Sequence, residues 1–203
     1  AKDTLYPMII EKNGFSLALL NYTYGTNGIT VPPPVIVNML EKNAVSADIE
    51  KAKSKNPDAI ILFLHWGTEY DTVPSKIQTD LADYFFSCGV DLIIGSHPHV
   101  LQKMEWTKSD SSLRDRIAVY SLGNYVSNQR TIRRDGGAMV RIELTKAADS
   151  LFVSDADNYL TWVYTPIEND RKKFFVLPCS KFENKPEFFA KSADYQKMKL
   201  FIN

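Results

Sequence analysis

Ala59-Ile60-Ile61-Leu62-Phe63-Leu64-His65-Trp66-Gly67 and, further along, Val90-Asp91-Leu92-Ile93-Ile94-Gly95-Ser96-His97-Pro98-His99 decide the fold of this chain. Ala59–Leu64 is continuously apolar, and Val90–Ile94 is nearly so, the pattern of strands covered on both faces. Between them Pro74 suits the first turn of a helix. Ile77, Leu81, Tyr84, Phe85 and Cys88 recur at helical spacing, and Gly89 suits the position just past a helix end. Strand, helix and strand over about 35 residues make a βαβ unit, hence parallel pairing. His65 and His97-Pro98-His99 then lie beyond the carboxyl ends of neighbouring strands, where open α/β sheets place their ligand sites. All 3 histidines of the chain fall in these two motifs.

Outward from this unit the chain reads as one α/β domain over residues 1–203, with a β-rich part from about residue 137. Pro7–Glu11 and Phe15–Tyr22 flank Lys12-Asn13-Gly14, and Asn-Gly between apolar runs predicts a hairpin. Gly25 to Pro34, with Asn27-Gly28 and Pro32-Pro33-Pro34, predicts an irregular loop. Ser46 is a candidate cap for a helix running to about Lys55, with Asp48 and Glu50 early and lysines late, as the helix dipole favours. Ile117–Ser121 predicts a third strand ending in Leu122-Gly123-Asn124, and Gly136-Gly137 opens another, Ala138–Leu144. Phe152–Ser154, Leu160–Tyr164 and Phe174–Leu177 are shorter strand candidates, and Ala190–Phe201 is a candidate terminal helix.

Composition excludes several classes. The 24 basic and 24 acidic residues balance to a formal net charge of zero, so nothing calls for nucleic acid as a partner. No apolar run approaches the roughly 20 residues that span a bilayer. No charged-then-apolar start resembles a secretion signal. The 2 cysteines are too few for a disulfide framework: Cys88 falls on an apolar helix face, and Cys179 follows Pro178 near a strand end.

The histidines carry the chemistry. Neutral imidazole suits zinc, and also iron, copper and nickel. In an extended segment alternate side chains share a face, so His97 and His99 are expected to point the same way, with Pro98 biasing His97 toward the extended region. With His65 arriving from the next strand, three nitrogens converge on one metal or divide between two. Hydrogen-bonded structural histidines are the plainer alternative. Two divalent ions about 3.5–4 Å apart need anionic ligands between them. Three neutral imidazoles bring no charge; Glu69, Asp71 and Asp91 are the candidate acids, of which Asp91 belongs at the far end of its strand, so at most one weakly held metal is expected. Arg130, Arg133 and Arg134 form a basic loop, either solvated or holding a phosphate or an anionic polymer. Trp66 either walls a substrate pocket or packs beside the ligands. No Gly-rich phosphate loop, nucleophile elbow or paired-cysteine motif is present.

Three motifs in order, His65-Trp66-Gly67-x-Glu69-Tyr70, Gly95-Ser96-His97-Pro98-His99-Val100-Leu101-Gln102 and Tyr120-Ser121-Leu122-Gly123-Asn124-Tyr125-Val126, resemble the bacterial capsule-synthesis CapA family, which includes proteins of poly-γ-glutamate capsule production. The resemblance covers Pro7 to about Leu144. That family is similar to the calcineurin-like metallophosphoesterases. The resemblance implies a metallophosphoesterase-like α/β/β/α sandwich, truncated at its N-terminus. It implies a divalent metal cofactor (zinc, manganese or iron), dinuclear in a full-length protein, with His65 and His97 on one ion and His99 on the other. Trp66, Glu69 and Asn124 become near-site residues. The superfamily's N-terminal aspartates and Asn-His motif do not appear here, so the chain resembles a C-terminal portion whose general acid lies elsewhere. The expected function is that of a capsule-biosynthesis protein with a metal-dependent, phosphoesterase-like hydrolase site acting on a phosphoester. The alternative is a non-catalytic binding or assembly domain for an anionic polymer. In both, the protein belongs at the cell envelope, with membrane association only through segments outside this chain.

Overall fold

Asn13 and Gly14, at φ of 53° and 80°, reverse the chain between β1 (Met8–Lys12) and β2 (Phe15–Thr23), as an Asn-Gly hairpin requires. The computed structural model describes residues 6–108, 114–147 and 150–203. After the irregular loop come α1 (Lys42–Lys53), β3 (Ala59–His65), α2 (Lys76–Ser87), β4 (Leu92–Ser96), β5 (Met104–Thr107) and β6 (Arg116–Val119). These strands form a six-stranded sheet in the order β1-β2-β3-β4-β6-β5. β2, β3, β4 and β6 are mutually parallel, and β1 and β5 close the edges antiparallel. The βαβ unit is therefore present, with parallel pairing.

The C-terminal part, from Gly136 on, is β-rich. β7 (Gly136–Ala147) and β8 (Ser150–Tyr164) form a long antiparallel hairpin, bulged at Glu143/Leu144. The two short strands expected between residues 152 and 164 are thus one strand, because the polar stretch Asp155–Tyr159 between them pairs in regular register with Met139–Glu143. β9 (Ile167–Glu168) and β10 (Arg171–Lys172) pair as a small ribbon, and β11 (Phe175–Pro178) adds to β8. α3 (Cys179–Phe182) and α4 (Ser192–Ile202) complete the chain.

Strand alternation sorts the apolar residues into separate cores. Ile60, Leu62, Leu64, Ile93 and Ala118 face α1 and α2, meeting Val45, Ile49, Ala82 and Phe85. Ile61, Leu92, Ile94, Ile117 and Val119 sit on the opposite side and meet Val140, Ile142, Leu144 and Val153 of the second sheet. Trp162, Tyr164 and Leu177 pack with Phe189 and with Met198 and Phe201 of α4. Helices join sheet, sheet joins sheet, and sheet joins helices, which is the α/β/β/α arrangement expected.

Both N-terminal helix ends differ from expectation. α1 begins at Lys42, four residues before Ser46, whose hydroxyl instead donates to Asn43 O within the helix. Asp48 does not serve the helix dipole: it is buried and accepts a 2.7 Å hydrogen bond from the Tyr22 hydroxyl. In α2 the cap is Ser75, in a full capping box with Gln78, and Pro74 lies just outside. Ile77 is 72% exposed, while Gln78 is buried. Gly89 takes φ 99° past the helix end, as expected.

Candidate metal centre

The register places the site. Thr23, His65 and Ser96 are partners in one row across β2, β3 and β4, so His97 is the first residue beyond the sheet edge. There the backbone departs from the extended form expected. His97 has φ 106° and His99 φ 61°, so the two rings converge through a left-handed turn rather than by strand alternation. Such backbone is costly for residues with a Cβ and persists only where surroundings enforce it. Here Trp66 N–H donates to Ser96 O (3.0 Å), Tyr70 N–H to Pro98 O (2.8 Å) and the Ser121 hydroxyl to Val100 O (2.8 Å).

The three histidines do come together. Ring centroids are 4.6 Å apart for His65 and His97 and 6.1 Å for His97 and His99. Tyr24 covers the first pair, 5.5 Å from the His65 ring and 4.5 Å from His97. Glu69 joins them: its Oε1 lies 3.8 Å from His99 Nε2, and one ligand atom each from Glu69, His97 and His99 lie within 4.8 Å of one another. From sequence Glu69 is a near-site acid of open role; the structure sets its carboxylate among the imidazoles.

Hydrogen bonds fix which nitrogens face the site. The Thr23 hydroxyl donates to Gly25 O (2.8 Å), so its oxygen is left to accept from His65 Nδ1–H (2.9 Å). Asn124 Nδ2 donates to Arg134 O (2.7 Å), which orients the amide so that Oδ1 accepts from His99 Nδ1–H (2.9 Å). In both rings the Nε2 lone pair remains for a ligand, the arrangement that orients metal-binding histidines. Burial holds the His65 and His97 imidazoles below the usual histidine range, and neighbouring imidazoles add to the effect. Both are therefore neutral at pH 7, as ligation requires.

Glu69, His97 and His99 form a donor set that fits one divalent metal, and His65 stands beside it against His97. Bond lengths of about 2.0–2.2 Å at tetrahedral angles separate ligand atoms by roughly 3.4 Å, near the 3.8 Å between Glu69 and His99. Imidazoles with one carboxylate suit zinc first, with manganese and iron as further candidates. A bridging anion for a second ion is lacking among the described residues of the cluster. Asp91 lies at the opposite sheet edge, as expected, accepting from Ile60 N–H at 2.8 Å beside Arg114.

Trp66 is fully buried: its Nε1–H donates to Tyr120 O (3.0 Å) and its ring stacks on Tyr120 at 5.9 Å. It packs behind the ligands. The three arginines separate. Arg130 is half-buried over the Trp162 ring. Arg133 is exposed, at φ 72°, on the rim of a cavity of about 570 Å³ lined also by Val100, Leu101 and Phe201. Arg134 lies 3.3 Å over the Tyr70 ring, which is itself 6.1 Å from His99. Thr23, Tyr24 and Tyr70 were missed from sequence. The signal for Thr23 was its place at the end of β2, visible only once β2 is set beside β3.

Among curated proteins the chain is 34% identical over 154 residues to the capsule biosynthesis protein CapA of Bacillus anthracis, covering 70% of this chain and 34% of that protein. It is 36% identical over 138 residues to the PGA biosynthesis protein CapA of Bacillus subtilis strain 168, covering 67% of this chain and 34% of the relative. The chain thus spans about a third of the length of these relatives. Solved structures with similar layering include the NAD nucleotidase of Haemophilus influenzae (TM-score 0.48, 12% identity, 97% of this chain and 37% of that one). The calcineurin-like phosphoesterase YfkN of Bacillus subtilis is another (TM-score 0.41, 16% identity, 97% and 58%). At these TM-scores the likeness carries no weight for function. The model of the family "Bacterial capsule synthesis protein PGA_cap" matches residues 1–129, which include the histidine motifs and Asn124. With sequence relatives and family model agreeing, this chain belongs to the bacterial capsule synthesis protein PGA_cap family.

Proposed function

We propose that this chain supplies the histidine side of a metal-dependent, phosphoesterase-like hydrolase site in a capsule-biosynthesis protein of the cell envelope. The observation that carries the reading is the convergence of His97, His99 and Glu69 at the carboxyl edge of a parallel sheet, with the His65 ring 4.6 Å from His97 and two imidazoles held in the ligating tautomer. A bound divalent ion would polarise a phosphoryl oxygen and lower the pKa of a water on it. The chain's own part is to hold three imidazoles and one carboxylate, keep their lone pairs inward, and shield the His65–His97 pair under Tyr24. His65, His97, His99 and Glu69 hold the metal in this reading, and Thr23 and Asn124 position them. The substrate class is a phosphoester or an anionic polymer such as poly-γ-glutamate.

One observation favours a second reading, a non-catalytic binding domain for the anionic polymer. Among the described residues of the cluster only Glu69 brings negative charge, which is too little for two ions. Elemental analysis of the purified chain after supplying zinc and manganese separates the two. About one equivalent, lost on His97→Ala or His99→Ala, supports the metal reading, and phosphoesterase assays of a form extended toward the N-terminus then test hydrolysis. Absence of metal from both forms removes the metalloenzyme and leaves the binding domain.

A further inference from the structure

The three arginines of the 130–134 segment have unlike surroundings, and only one is set against the histidine cluster. Arg130 is consumed by packing: burial pushes its guanidinium below the usual range, and its Nη1 is sealed beside Trp162. Arg133 is exposed at the rim of the apolar cavity. Arg134 is tied to His99 twice. Its carbonyl accepts from Asn124, whose Oδ1 accepts from His99. Its guanidinium lies on Tyr70, whose ring neighbours His99. Tyr70 itself stands at φ 71°, so strained backbone at Tyr70, His97 and His99 collects around one spot. Among the described residues no carboxylate pairs with Arg134, and its guanidinium donates no hydrogen bond to the protein. A half-buried cation, fixed in place but neither paired nor hydrogen-bonded, is a preformed receptor for an anion.

We propose that Arg134, seated on Tyr70, is the anion clamp of this site, taking one edge of a substrate oxyanion whose other oxygens face His97, His99 and Glu69. This rests on the metal-site reading for the second half of the contact but not for the first. The guanidinium fork matches the edge of a phosphoryl or carboxylate group, so the ligand chemistry is an oxyanion, and its source is either a phosphoester or a polycarboxylate. Tyr70 holds the plane of the fork through ring stacking, which lysine would not reproduce.

Calorimetric titration of inorganic phosphate and, separately, glutarate at fixed ionic strength tests the clamp, with and without one equivalent of zinc. Arg134→Gln is expected to weaken the preferred anion about tenfold or more, with zinc affinity unchanged. Arg134→Lys retains charge without the fork and should fall between, which also guards against a folding defect in the first variant. Arg133→Gln should leave both affinities unchanged. The anion whose binding suffers more identifies a phosphoryl or a carboxylate source. Wild-type affinity in Arg134→Gln, an equal loss in Arg133→Gln, or a wild-type protein that binds neither anion overturns the clamp. Failure of zinc to bind the wild type instead overturns the metal reading, while the zinc-free titrations still report on Arg134.

Discussion

Two hydrogen bonds outside the ring of candidate ligands decide what the histidines can do. Thr23 and Asn124 each accept from an Nδ1–H and so leave Nε2 to face the site. Removing such a partner from a ligating histidine typically costs about 10–100-fold in metal affinity. Thr23→Val keeps the shape of the side chain and is expected to weaken zinc binding about tenfold, with an unchanged circular dichroism spectrum. Asn124→Ala should weaken it more, because the same amide also fastens the Arg134 carbonyl. Competitive zinc titration of both variants checks this, and unaltered affinities would mean that the tautomers are set some other way. The histidines were legible in the sequence because apolar strands ended on them. Thr23 and Tyr24 were not, since their role depends on β2 lying next to β3, a pairing fixed only by the assembled sheet. The turn at His97 was missed for a related reason. Pro98 argues for an extended predecessor, yet hydrogen bonds from Trp66 and Tyr70 enforce positive φ instead.

Elements show the same division between local and non-local causes. Continuous apolar runs identified β3 and β4, and Gly89 the end of α2, because each signal resides in the element itself. The start of α2 lies just beyond the position Pro74 suggests, and its buried face includes a polar residue, Gln78, that periodicity does not select. That side chain is buried because its amide joins a polar relay: Ser75 N–H donates to Gln78 Oε1 (3.0 Å), Gln78 Nε2 donates to Gln102 Oε1 (2.9 Å), and Gln102 Nε2 donates to Asp71 O (2.8 Å). The relay runs from the helix cap to the loop that carries Glu69 and Tyr70. Ser75→Ala should therefore cost about 1 kcal/mol of stability, as loss of a helix cap does, measurable by urea unfolding. Gly95→Ala belongs to a harsher class. A Cβ there would meet Tyr120 O at 2.1 Å and Trp66 Nε1 at 2.5 Å, between strands that cannot separate without breaking the sheet. Overpacking alone costs about 1–3 kcal/mol, and backbone contact should exceed that range. A Gly95→Ala protein with wild-type stability would show that β4 and β6 approach less closely than described.

At the scale of the molecule, the cores that join layers also decide which groups react and how binding is felt. Cys179 is buried at the start of α3, and burial, with the charge of Glu183, pushes its thiol up to about 12. The thiolate is the reactive form, so iodoacetamide at pH 8 should modify Cys179 only after unfolding, whereas Cys88 is partly exposed. The folded state keeps this proton where the unfolded state releases it, so stability should fall as pH rises from about 9 toward about 12. Metal acts in the opposite sense. Glu69 and the His97–His99 pair come from two separate stretches that meet only when the six-stranded sheet is formed, so a metal ion binds the folded chain in preference to the unfolded one. Zinc at 100 times its dissociation constant should add about 2.7 kcal/mol. For a chain of this size that raises Tm by roughly 5–11 °C. Calcium, which prefers oxygen ligands, should give no comparable shift. His97→Ala should abolish the zinc effect in a thermal scan while retaining the melting point of the zinc-free protein within a few degrees. An equal zinc shift in wild type and variant would place the ion away from the sheet edge, and with it the chemistry assigned there.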